Sequence, residues 1–177
     1  MKGTKRIAIA ITAIFLLALP TISFGDLKAG EKVVLDDFRS AIPTDKFKSV
    51  EDLHATWEAV QAGKSEALIV DIRTEAEFNA GHIIGSSNID SGHAYGLPKK
   101  VKDANKEIWV FCRTKHRASY FVGELYKFGY SNVYLVEGGI KAWAEKGYTL
   151  GNKYLGEITV AKYHKTLKED FFYRENN

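Results

Sequence analysis

A single cysteine, Cys112, is all that the 177-residue chain offers for disulfide chemistry, so no internal bridge staples the fold and a hydrophobic core must hold it. No internal repeat and no low-complexity segment is present. The histidines at 54, 82, 93, 116 and 164 show no ligand spacing, and one cysteine makes no zinc site. The main apolar run, Ile7 to Leu19, falls short of the roughly 20 residues that cross a bilayer. Excess charge is lacking too. The formal net charge is +3, but Lys2, Lys5 and Arg6 precede residue 26 with no acidic residue beside them, so the rest of the chain is neutral. A neutral chain presents no electrostatic case for nucleic acid.

What is present begins with a targeting pattern. A basic start, the apolar run, Pro20 and the small residues of Ser23-Phe24-Gly25 read as an export signal over 1–25. A polar stretch from Asp26 to Lys32 follows at once, so no membrane association is expected after cleavage. An uncleaved N-terminal anchor is the alternative. No cysteine follows the run, which argues against a lipoprotein anchor there. Expected beyond it are a weakly periodic lead-in over 26–46, one domain over 47–149, and a C-terminal extension over 150–177 whose aromatic residues (Tyr154, Tyr163, Phe171, Phe172, Tyr173) suggest a packed tail.

Within the domain, Ser49 and Asp52 have capping-box spacing and predict a helix to about Ala62, closed by Gly63. Ala67–Val70, Ile108–Phe111 and Val133–Val136 are unbroken apolar runs, as strands covered on both faces require. Ile84–Ile89 reads as a further short strand, Glu75–Ala80 as a helical turn, and Pro98–Asp103 as a short helix. Ala118, Phe121, Val122, Leu125 and Phe128 recur at helical spacing from Arg117 on, and Gly138-Gly139 leads into a helix carrying Ile140 and Trp143. Strands alternating with helices imply an α/β fold with a mainly parallel sheet flanked by helices.

An odd cysteine in an exported chain is an inert buried thiol, an intermolecular bridge or a reactive group. Cys112 ends a predicted strand, where open α/β sheets bind ligands, and Cys-Arg-Thr-Lys-His-Arg runs straight into a helix. Such a loop can curl its amides around the sulfur, with the positive end of the helix behind it. Arg113, Lys115 and Arg117 add positive charge, and His116 adds more when protonated. These effects favour a nucleophilic thiolate, expected to face solvent. It would attack the outer sulfur of a donor such as thiosulfate and hold that sulfur as a persulfide. A packed, unreactive strand-end cysteine is the plainer alternative, and the surrounding cations argue against it.

Several ordered motifs resemble the rhodanese-like family. They are Val70-Asp71-Ile72-Arg73, Glu77-Phe78, Gly81-His82-Ile83, Gly85 and Asn88-Ile89, then Ile108–Arg117, Val136–Ile140 and Trp143. The resemblance covers roughly 47–149. It implies a five-stranded parallel sheet with the active loop after the fourth strand, Cys112 as the sulfur carrier, and Arg113, Thr114, Lys115, His116 and Arg117 as the substrate-binding wall. It also implies a small sulfur-containing anion as donor, a thiol, cyanide or protein as acceptor, and no cofactor. Asp71, Arg73, Glu77 and His82 look like scaffold residues of that family, and Gly138 and Gly139 like the turn into its last helix. Many members carry glycine where this chain has Lys115; if that position requires φ > 0, lysine costs about 1 kcal/mol there. A phosphatase or arsenate reductase on the same fold would need one more residue between cysteine and arginine than the four found here. A non-enzymatic partner-binding module is the other alternative.

Overall fold

The computed structural model describes residues 26–160. The expected signal over 1–25 and the aromatic residues at 163 and 171–173 lie outside the described residues. Among those described, no helix is long and apolar enough to cross a membrane.

Helix α1 (Leu27–Ser40) opens on Asp26, whose carboxylate accepts the Lys28 amide at 3.0 Å. Strand β1 (Phe47–Lys48) leads through Ser49 into α2 (Val50–Gln61), where Ser49 and Asp52 form the expected capping box. Then come β2 (Leu68–Asp71), α3 (Glu75–Ala80), β3 (Ser87–Asn88), α4 (Leu97–Lys100), β4 (Ile108–Phe111), α5 (His116–Lys127), β5 (Val133–Val136) and α6 (Gly139–Glu145). An antiparallel hairpin, β6 (Leu150–Asn152) and β7 (Gly156–Ile158), follows.

The main sheet has five strands in the order β1-β5-β4-β2-β3, and every pairing is parallel. All carboxyl ends therefore lie along one edge, with β4 central. Alternation along β4 divides the core. Ile108, Val110 and Cys112 join Phe121, Val122 and Leu125 of α5 on one face. Trp109 and Phe111 join Leu53 of α2 and Ile140 and Trp143 of α6 on the other. Each fully enclosed large aliphatic or aromatic side chain contributes roughly 1.5–3 kcal/mol, and together they replace the missing disulfides.

Three expectations are revised. The lead-in over 26–46, for which no element is expected, holds a helix: α1 packs on α5, and Ile42 after it enters the core at 3 % exposure. Leu27, Val33 and Val34 of α1 stay exposed, and none of its residues is fully buried. The strand expected over 84–89 shortens to Ser87–Asn88, because Gly85 turns the chain at φ 80° and the Ser86 amide bonds back to the Ile83 carbonyl. The helix expected over 98–103 is Leu97–Lys100, ending where Val101 becomes extended. The hairpin lies at the start of the C-terminal extension, with Leu150 in the core and Gly151 exchanging backbone hydrogen bonds with His82 at 2.8 and 2.9 Å. Tyr154, at its tip, is exposed.

Candidate active site

Strand β4 delivers Cys112 to the carboxyl edge of the sheet, as its position in the sequence implies. Its burial differs from expectation: Cys112 is 1 % exposed and belongs to the core cluster beneath α5 rather than facing solvent. The reason is register. Cys112 continues the inward row of Ile108 and Val110, so its side chain points into the face that α5 covers.

The loop after it is pinned by its carbonyls. The Ile140 amide donates to the Cys112 carbonyl at 3.0 Å and the Lys141 amide to that of Arg113 at 3.1 Å. The Ser119 amide donates to the Lys115 carbonyl at 2.9 Å, and the Ser119 hydroxyl to the same oxygen at 3.1 Å. All peptide bonds among the described residues are trans, so each carbonyl sends the next residue's N–H to the opposite side. The amides of Arg113, Thr114 and His116 thus face away from those donors. From Arg113 to Arg117 no backbone amide has an acceptor among the described residues. Unpaired amides leading into the first turn of a 12-residue helix favour an anion.

Lys115 lies at φ −156° and ψ −23°, outside the left-handed region, so it carries none of the strain a glycine-only position would impose. The glycines that matter sit opposite. Gly138 and Gly139 adopt φ of 87° and 55°, making the expected turn into α6, and a Cβ on Gly139 would stand 2.3 Å from the Cys112 carbonyl oxygen. Only glycine lets α6 approach closely enough to hold the loop.

The loop cations are largely committed. Arg117 binds Glu77 through two parallel hydrogen bonds of 2.8 and 2.9 Å. Burial pushes the Glu77 carboxyl up, but the Arg117 hydrogen bonds and charge, the Thr74 amide and the Arg73 charge outweigh it and bring it down to about 2. The same Glu77 hydrogen bonds raise Arg117 against the effect of burial, and the Cys112 charge acts in the same direction. Lys115 pairs with Glu137 at 3.4 Å, and His116 Nε2 lies 3.0 Å from Glu31, an ion pair only when the imidazole is protonated. Arg113 alone among these cations makes no hydrogen bond or ion pair with the described residues. Thr114 is half-buried beside it.

The scaffold residues behave as the resemblance implies. Arg73 holds the Asp71 carboxylate at 2.6 Å and donates to the Gly81 carbonyl, also at 2.6 Å. Burial raises the Asp71 carboxyl against the pull of Arg73. Asn88 donates to the carbonyls of Asp71 and Arg73 and ties β3 to the same turn. The His82 ring stacks on Phe78. Sequence reasoning missed Glu31, Arg39 and Glu137 as contacts of the loop; nothing in their spacing from Cys112 signals them. A cavity of about 430 Å³ opens between β1, α2 and α6, lined by Phe47, Lys48, Glu137 and Lys146 among others. Cys112 is not among its lining residues.

The model of the rhodanese-like domain matches residues 52–146. The chain belongs to the rhodanese-like domain family. Rhodanese-like relatives include the thiosulfate sulfurtransferase GlpE of Pseudomonas putida, 34 % identical over 91 residues, which cover 49 % of this chain and 78 % of GlpE. YqhL of Bacillus subtilis (strain 168) is 30 % identical over 91 residues, covering 51 % and 71 % of the two chains. A tRNA uridine(34) hydroxylase from Aster yellows witches'-broom phytoplasma is 29 % identical, but only 40 % of that protein is spanned. Among solved structures, the polysulfide-sulfur transferase homodimer of Wolinella succinogenes shares the rhodanese fold, with a TM-score of 0.55 at 21 % identity over 79 % of this chain and 95 % of that one.

Proposed function

We propose that the protein is a sulfurtransferase that carries sulfur as a persulfide on Cys112. The Cys112 thiolate attacks the outer sulfur of a thiosulfate-type anion. A new S–S bond forms, the old one breaks, and sulfite leaves with the bonding electron pair. An acceptor thiol, cyanide or protein nucleophile then takes the terminal sulfur and returns the thiolate. No oxidant or reductant is consumed. The observation that carries this reading is the row of unpaired amides from Arg113 to Arg117 beside the only cysteine. They would stabilise thiolate and persulfide alike, and Arg113, the loop cation with no partner among the described residues, would meet the donor. A phosphatase reading is weakened further by Arg117, which is engaged with Glu77 rather than available to a phosphate.

One observation favours a second reading. Cys112 is 1 % exposed, as suits a partner-binding module whose thiol does not turn over. Intact mass spectrometry after thiosulfate treatment separates the two. The wild type is expected to gain the mass of one sulfur atom and lose it to cyanide, and Cys112→Ala to gain none. A wild-type chain that takes up no sulfur overturns the transferase reading and leaves the module. We further propose that residues 1–25 direct export, placing the mature chain in a periplasm or outside the cell.

A further inference from the structure

Helix α1 precedes the segment that matches the family, yet it touches the cysteine loop. Arg39, near its end, donates from Nη1 to the Ser119 hydroxyl at 2.8 Å and from Nη2 to Glu137 Oε1 at 3.4 Å. Its guanidinium also lies 4.8 Å from the centre of the Phe47 ring, which fixes its plane. Ser119 is 1 % exposed, and its hydroxyl has one proton. Because Arg39 fills the acceptor side, that proton goes to the Lys115 carbonyl at 3.1 Å. Glu137 takes Arg39 and the Lys115 ammonium on the same oxygen, each at 3.4 Å. One guanidinium therefore contacts both side chains, Ser119 and Glu137, that bond to the Lys115 carbonyl and ammonium.

We propose that Arg39 is a positioning residue for the Cys112–Arg117 loop, acting through Ser119 and Glu137, and that α1 is part of the functional unit. The proposal deepens the sulfur-transfer reading and rests on it for its role in turnover. The Lys115 peptide sets where the His116 amide points; the Ser119 amide still holds its carbonyl without Arg39, but the hydroxyl bond and the Glu137 contact on Lys115 are loosened, so this wall of the loop opens more readily. Lysine at 39 would supply charge to Glu137 without the planar fork that reaches two acceptors.

The test uses the full chain with Arg39→Ala, Arg39→Lys and, as control, Asp37→Ala, which removes the pairing of α1 with Lys127 but touches no loop residue. Arg39→Ala is expected to lower kcat for thiosulfate and cyanide about tenfold with KM changed less than about twofold. Arg39→Lys should recover about a third of wild-type kcat, and Asp37→Ala should stay within about twofold of wild type. A double variant of Arg39→Ala with Ser119→Ala should fall no further than Arg39→Ala alone. Equal kcat values for the Arg39→Ala and Asp37→Ala variants overturn the proposal, as does an effect of Arg39→Ala confined to KM. A donor-free measurement keeps this separate from the transferase reading. The iodoacetamide alkylation rate of Cys112 at about pH 10, where thiolate formation no longer limits attack and access does, should rise at least about threefold in Arg39→Ala and not in Asp37→Ala. Unchanged alkylation sinks the positioning role. The expected rise in a chain that takes up no sulfur retains it and removes only the transferase reading.

Discussion

Glu77 illustrates how a residue read as scaffold reaches the site. Its carboxylate closes the capping box of α3 with Thr74 and grips Arg117, the last residue of the cysteine loop. Its value of about 2 lies below the ordinary 4.5, so the pairing stabilises the fold fully above 4.5 and is lost as pH falls from there towards 2. The full shift overstates the gain, because the Glu77 and Arg117 side chains are 29 % and 35 % exposed and solvent screens them. Glu77→Gln is accordingly expected to cost about 1–2 kcal/mol at pH 7, with the gap to wild type closing near pH 2. Urea denaturation at several pH values measures it; a gap independent of pH would contradict the assignment.

Helix α1 owes its seat to a missing side chain on α5. A Cβ at Gly123 would stand 2.4 Å from the Phe38 carbonyl oxygen and 2.8 Å from its carbon, and backbone cannot yield as a flexible side chain does. Around this contact Phe38 meets Tyr120 edge-on and Asp37 pairs with Lys127. Gly123→Ala gains about 1 kcal/mol of helix propensity but forces the two helices apart, at a cost of about 1–3 kcal/mol. The expected result is a lower Tm with faster proteolysis over 27–40; a higher Tm would mean that propensity alone decides. The same contact explains what sequence reading could reach. β2, β4, β5 and α5 were legible because burial on both faces, or on one helical face, writes an apolar pattern. α1 was missed although its apolar and polar residues do segregate at helical spacing, because none of its residues is fully buried and its seat depends on the Gly123 contact, the Arg39 bridge and ion pairs distant in sequence. The loop order from Cys112 to Arg117 was legible, whereas which cations stay free was decided by carboxylates at 31, 77 and 137, distant in sequence. The depth of Cys112 was implicit in the alternation from Ile108, but the cations beside it pointed to solvent.

For the whole molecule, one domain carries the site and its support. Asp26 caps α1, so the proposed cleavage after Gly25 leaves every described element intact. The mature protein from its host is expected to begin at Asp26, and intact mass or N-terminal sequencing checks it. A mass that retains residues 1–25 would instead indicate an anchored chain.

The place of β1 at the sheet's edge has a consequence for how the chain matures. Phe47 and Lys48 pair only with β5, at Leu135 and Val136, roughly ninety residues downstream. That closure is among the slowest contacts the topology demands, since so long a loop must be drawn shut first. If the chain is exported as proposed, a polypeptide threaded from its N-terminus could not complete this edge until β5 had emerged, which would keep it pliable for passage and postpone assembly of the proposed site to the far side.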